Sequence, residues 1–391
     1  MNIPTQDISR RKFMALSAIS GTAVVSGCAT NPVSGRRQFM IPSESDEINL
    51  DKQVAPHQFS ADYGAVQDQA LNRYISDVGG KMAKLTHRDH MPYNFRVLNT
   101  VVVNGYTFPA GSIGLARGLM LSMENEAQLA AVLGHELGHV NWRHGSERMS
   151  KTMLAQLGVG LLAAWAETAN DNLTDIAAVG GMLTSAVFLS HYSRQDEREA
   201  DATGMDYMVK AGHNPKGMIG LMDVFVKLHK SKPNVVETLF STHPMSDERY
   251  STAVGNADQL YQPAKNFPVN RERYMDHTAK LRKNRGAIEA IQSGGRAMMK
   301  KKNTDAEAFF SKALKQAPDD YTGLLMMAKF CIAKKEYDKA RRFAKQAKLV
   351  YPAEPQALHV HGMSLIKLRR FDSALAEFGS YAKRLPGNPE T

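Results

Sequence analysis

The chain has only two cysteines in 391 residues and no uninterrupted apolar run long enough to cross a bilayer. Its longest apolar stretches, about Met153 to Ala166 and Ile176 to Leu189, fall short of the roughly 18 to 20 residues a spanning helix needs, and both contain glycine. They read as buried or membrane-surface helices. Acidic charge is scarce at one end alone. Residues 271 to 391 hold 25 Lys and Arg against 13 Asp and Glu, whereas residues 28 to 270 hold 21 against 25. The net charge of +10 is therefore a property of the C-terminal region, which argues against a uniform nucleic-acid reader and suits anionic headgroups, an acidic partner or simply a solvated helix face.

Residues 1–27 read as an address. Ser9-Arg10-Arg11-Lys12-Phe13-Met14 resembles a twin-arginine export motif, and Val25-Ser26-Gly27-Cys28 resembles a lipobox in which Cys28 carries the lipid. Only Cys331 then remains as a free thiol, so no internal disulfide is expected and packing and metal must hold the fold. Ala29 gives no inner-membrane retention signal. The expected location is the periplasmic side of a bacterial outer membrane, lipid-anchored. Residues 28–45, with Asn31-Pro32, Ser34-Gly35 and Pro42-Ser43, read as a flexible tether.

Apolar spacing of three and four from Ser45 to Leu85 (Leu71, Ile75, Val78, Met82) predicts one or two helices. From Phe95 to Leu115 the run Val101-Val102-Val103, the turn-like Asn104-Gly105, and the segments Tyr106 to Pro109 and Ile113 to Leu115 predict a small sheet with a hairpin. Asn125 caps a helix that runs through Val140, with Gln128 approximating a capping box. A further helix, Gln195 to Lys210, ends at Gly212-His213-Asn214-Pro215. The C-terminal third repeats: Pro318, Pro352 and Pro386 lie 34 residues apart, as do Ala306, Ala340 and Ala374. Phe310 and Phe378 take the large site and Gly294 and Gly362 the small one, so units near 287–320, 321–354 and 355–388 resemble tetratricopeptide repeats. Ala344 and Tyr381 depart from that pattern.

The helix from Asn125 contains His135-Glu136-Leu137-Gly138-His139. Positions i and i+4 share a helix face, so both imidazoles can bind one Zn²⁺, with Glu136 beside the first ligand. Glu197 and Asp201 repeat the i, i+4 spacing on a second helix and can bring two carboxylates to the same place. His144 sits five residues past His139, off the ligand face.

The pairing of HExxH with a later ExxxD preceded by Ser-Arg resembles the HtpX-like and prenyl-protease-like zinc metallopeptidases of family M48, and the repeats and export signal resemble its BepA-like branch. The resemblance implies an α+β, mainly helical zincin-type domain with a small β-sheet over residues 46–270, followed by an all-α repeat domain over 271–391. It implies one zinc per chain held by His135, His139 and Glu197, with Asp201 orienting a ligand histidine. Three protein ligands leave a position for water, as catalytic zinc requires. Glu136 would take a proton from that water and return it to the leaving amine. Asn104-Gly105-Tyr106 resembles the family's Asn-Ala-aromatic edge strand, on which an extended peptide is laid; Gly105 departs from the alanine. His243-Pro244 with Arg249 resembles the family's His-Pro segment, where the histidine either binds the oxyanion or occupies the open zinc position and holds the enzyme latent. The clients implied are unfolded or misassembled envelope proteins, with the repeats docking substrate or outer-membrane assembly machinery. The rival reading is a chaperone or scaffold whose zinc is chiefly structural.

Overall fold

A computed structural model describes residues 28–167, 191–231 and 233–386. The export motif, the expected Ile176–Leu189 helix and the last five residues lie outside them. Among the described residues, no helix is long and apolar enough to cross a membrane.

The segment read as a tether is folded. β1 (Cys28–Thr30) pairs antiparallel with β2 (Arg37–Phe39), and Gly35 turns the chain between them at φ +68°. Asn31 Nδ2 then donates to the Trp142 carbonyl, Ile41 N to Ser150 Oγ, and Arg143 Nη2 to the Pro42 carbonyl. Polar turn residues are as able to dock through backbone bonds as to stay solvated, and composition does not separate the two.

α1 (Glu44–Ala61) starts at a Ser43–Asp46 capping box and α2 (Gln69–Ala83) at Asp68. The sheet has order β3 (Asn94–Leu98), β5 (Ser112–Ala116), β4 (Gly105–Thr107); β3 runs parallel and β4 antiparallel to β5. The expected turn at Asn104-Gly105 is not there. Gly105 pairs with Leu115 inside β4, and the chain reverses instead at Pro109–Gly111, where Gly111 has φ +93°. Val101 to Val103, β-branched enough for a strand, form a loop; Gln292 Nε2 donates to the Val101 carbonyl, and Val101 packs on the repeat core.

α3 (Arg117–Ser122) leads to α4 (Glu126–Trp142), whose N-cap Asn125 accepts from Gln128 N; Gln128 Oε1 in turn takes Glu124 N, one residue outside a true capping box. α5 (His144–Glu167) follows, and α6 (Arg194–Lys210) begins at a Ser193–Asp196 capping box. α4 and α6 cross with their backbones in contact. A Cβ built on Gly204 would stand 2.5 Å from the Gly134 carbonyl carbon, and one on Gly138 2.7 Å from the Ala200 oxygen. Only this closeness lets the short reach of Glu197 meet histidines on α4. Gly204→Val is therefore expected to cost about 1–3 kcal/mol of stability in denaturant unfolding and to lose metal binding; unchanged metal binding would show that the crossing does not set the site.

α7 (Lys216–Ser231), α8 (Pro233–Thr242) and α9 (Asp247–Gln259) complete this domain. Two short helices, α10 (Arg271–His277) and α11 (Ala279–Lys283), then lead to three hairpins. These are α12 (Arg285–Met299) with α13 (Asn303–Gln316), α14 (Tyr321–Ala333) with α15 (Tyr337–Val350), and α16 (Gln356–Lys367) with α17 (Phe371–Arg384). A Cβ on Gly294 would overlap Phe310, and one on Gly362 would overlap Phe378, so the small and large sites interlock. Lys301, Lys335 and Arg369 hold left-handed φ of 57°, 63° and 57°, one per hairpin at the repeat spacing.

The repeats pack on the sheet side of the first domain. Buried Arg117 forms a bidentate pair with Asp320 (2.7 and 2.8 Å), and Thr322 Oγ1 donates to the Asn99 carbonyl. Glu354 is buried here against Ser60 Oγ, and burial pushes its carboxyl from 4.5 up to about 7. A carboxyl raised in the folded state contributes stability at low pH that is lost as pH climbs from about 4.5 through about 7. Glu354→Gln should accordingly raise the melting midpoint at pH 8 by roughly 2–4 °C and leave it unchanged near pH 4; equal shifts at both pH values would rule out this titration.

Candidate metal centre and active site

Four donor atoms converge between α4, α6 and the end of α8. His135 Nε2 lies 3.1 Å from His139 Nε2 and 3.2 Å from His243 Nδ1, and Glu197 Oε1 lies 3.5 Å from His139 Nε2 and 2.9 Å from His243 Nδ1. All four side chains are buried. His135 Nδ1 faces Asp201 Oδ1 at 2.9 Å and His139 Nδ1 faces His144 Nδ1 at 2.9 Å. With protons on the Nδ1 atoms, the two Nε2 lone pairs point at each other, which is repulsive unless a cation stands between them. Tetrahedral zinc at ordinary Zn–N lengths sets its ligand nitrogens about 3.3 Å apart, close to what is found, so the donor set fits a metal ion of that class.

Electrostatics divide the carboxylates by role. Burial pushes the Glu197 carboxyl up, but the neighbouring His243 and His135 outweigh it, and the group lies well below the ordinary range. Asp201 is also lowered: burial opposes ionisation and Arg249 overrides it. Arg249 Nε and Nη2 grip Asp201 at 2.6 and 2.8 Å while Nη1 reaches Glu197 Oε2 at 2.5 Å. Asp201 thus pairs with both His135 and Arg249. Glu136 behaves oppositely. Burial raises its carboxyl, and its Oε2 is buried without a hydrogen-bond partner.

β4 is the edge of its sheet and lies beside Glu136: a Cβ on Gly105 would be 3.6 Å from Glu136 Oε1 and 3.0 Å from Leu115 Cδ2. Asn104 Oδ1 is likewise buried and unpartnered. Tyr106 is directed away from the metal ligands, its hydroxyl donating to Asp62 at 2.6 Å. An apolar pocket lined by Leu119, Val132, Met222, Phe225, Leu239 and Met245 opens beside His135, Glu136 and His243.

Sequence reasoning passed over two kinds of residue. The glycines of the α4–α6 crossing left a readable signal, Gly134-x-x-x-Gly138 against Ala200-x-x-x-Gly204. His144 left none, because α4 ends at Trp142 and Arg143 turns left-handed (φ 61°), swinging His144 back toward His139. A helical wheel continued past the stop places it wrongly.

Residues 69–256 match the family model described as peptidase family M48, and residues 297–362 match a tetratricopeptide repeat model. Similar proteins include the beta-barrel assembly-enhancing protease of Yersinia pestis, 27% identical over 54% of this chain and 45% of the relative. The protein of the same name from Escherichia coli K12 is 27% identical over 50% of this chain and 40% of the relative. The mitochondrial metalloendopeptidase OMA1 of Arabidopsis thaliana is 28% identical over 47% and 36%. The chain spans less than half the length of these curated relatives.

Proposed function

We propose, from the premise that this chain carries a peptidase domain of family M48 joined to tetratricopeptide repeats, that it is a zinc endopeptidase acting on unfolded or misassembled envelope proteins. The convergence of His135, His139 and Glu197 donors around one point, with an unpartnered buried Glu136 beside it, carries the reading. A zinc ion held there would supply Lewis acidity and a water of lowered pKa. Glu136 takes the proton of the attacking water and returns it to the leaving amine. Asp201 fixes the tautomer of His135, and Arg249 keeps Asp201 ionised while its Nη1 reaches Glu197 Oε2. Asn104, Gly105 and the edge of β4 offer backbone bonds to an extended substrate, and the pocket beside Glu136 takes an apolar side chain next to the scissile bond.

The relatives named for beta-barrel assembly support envelope clients and, through the repeats, contact with the barrel assembly machinery. Export through Arg10-Arg11 and a lipid on Cys28, holding the chain at the periplasmic face of the outer membrane, belong to the same proposal. So does its rival, a latent peptidase that serves as an assembly chaperone, favoured by His243 Nδ1 lying among the metal donors.

The test is direct. Purified chain loaded with zinc should bind one ion and cut an unfolded polypeptide, and Glu197→Ala should bind less than one-tenth as tightly and cut nothing. Full retention of zinc by Glu197→Ala removes it from the ligand set.

A further inference from the structure

The two ligand histidines are supported differently. His135 Nδ1 meets a carboxylate directly, at Asp201, whereas His139 Nδ1 meets His144 Nδ1 at 2.9 Å, and His144 Nε2 meets Glu199 Oε2 at 3.1 Å. If His139 gives its Nε2 lone pair to a metal, its Nδ1 carries the proton and donates; His144 then accepts at Nδ1 and carries its own proton on Nε2, directed at Glu199. The polarity of the chain is set from the metal outward. Glu199 Oε2, 3.1 Å from His144 Nε2, is the acceptor on which the chain ends. Gln195 Nε2 holds its other oxygen at 3.0 Å. Asp196, also nearby, is committed elsewhere: its Oδ2 accepts from the backbone N of Ser193, and its Oδ1 is 3.9 Å from His144 Nε2, beyond hydrogen-bond reach.

We infer that His144 and Glu199 are positioning residues that support His139 through a relayed carboxylate, fixing its tautomer and raising its basicity toward the metal. The inference rests on the metallopeptidase reading, since only a bound ion on Nε2 orders the protons this way. His144 is buried, so an imidazole that merely filled space there would need no acid behind it; Glu199, whose side chain is only 24% exposed, supplies one. Tyr192 stacks on the His139 ring at 3.7 Å, so the ring plane is held independently and the relay's own share lies in the Nδ1 proton.

The experiment is a metal-affinity double-mutant cycle on the full chain, by competition with a chromophoric chelator. His144→Leu should weaken zinc affinity about 10–100-fold, Glu199→Ala less, and the double variant no more than His144→Leu alone, because Glu199 acts only through His144. His144→Asn, which keeps an acceptor for His139, should recover part of the loss. Melting of the metal-free variants separates folding from binding; if His144→Leu does not fold, the Asn and Glu199→Ala variants decide alone. Wild-type affinity in the folded His144 and Glu199 variants, or losses that multiply in the double, overturn the relay. A second zinc equivalent that vanishes in Glu199→Ala also overturns it, since His144, Asp196 and Glu199 would then hold an ion of their own. A wild-type chain that binds no zinc at all overturns the metallopeptidase reading itself, and the relay with it.

Discussion

Glu136→Gln is expected to bind zinc as tightly as the wild type and to cut unfolded polypeptide about 10²–10⁴-fold more slowly. The substitution keeps the side chain's shape, so the buried packing on α4 and the donors at His135, His139 and Glu197 stay as they are. What it removes is the capacity to hold a proton. Burial raises this carboxyl, which brings it nearer the working pH and makes it a better proton carrier than an exposed glutamate. Because it must be ionised to accept the proton of water, wild-type cleavage should rise with pH along a limb displaced above the ordinary glutamate range. Equal turnover by wild type and Glu136→Gln would sink the catalytic role; cleavage absent from both, with zinc bound in both, would favour the chaperone reading.

How much of this was legible in the sequence depended on whether a residue's role is local. The i, i+4 spacings of His135 with His139 and Glu197 with Asp201 are properties of a single helix each, and a helix face can be read from sequence. The repeats were legible for the same reason: Gly294 with Phe310 and Gly362 with Phe378 recur at a fixed period. Roles that depend on where two elements meet were not. Val101 to Val103 have strand composition, but the Val101 carbonyl accepts from Gln292 on α12, and Gly105 of the Asn104-Gly105 pair, a good turn in isolation, is taken into β4 because β5 offers it a partner. Residues 28 to 45 looked solvated because they dock by single hydrogen bonds across elements, Asn31 Nδ2 to the Trp142 carbonyl on α4 and Ile41 N to Ser150 Oγ on α5, which composition does not record. Asp201 shows both sides. Its place near the ligands follows from spacing, yet its arginine is Arg249, 48 residues on, where only the tertiary fold brings α9 against α6.

His243→Ala is expected to raise cleavage of an unfolded substrate roughly tenfold or more, while zinc is stripped by chelator more readily than from the wild type. The sequence left two roles open for this residue, oxyanion donor and occupant of the open metal position. The geometry favours the second: Nδ1 lies 2.9 Å from Glu197 Oε1 and 3.2 Å from His135 Nε2, the separations found among the metal donors themselves. A donor meant for an oxyanion would stand about 3 Å from the reacting carbonyl's oxygen, off the ligand cluster rather than within it. Held there beside a bound ion, His243 would take the place catalysis needs for water, and with Met245 it lines the apolar pocket beside Glu136. Its segment is fastened by Tyr192 N donating to the Thr242 carbonyl and Arg249 Nη1 donating to that of Pro244. Alanine removes the nitrogen and leaves those bonds. Were His243 the oxyanion donor, its loss would instead slow turnover about 10²–10³-fold with zinc affinity unchanged. The sign of the rate change and the direction of the affinity change therefore decide together, and a variant slower than wild type with tightly held zinc would reverse the assignment.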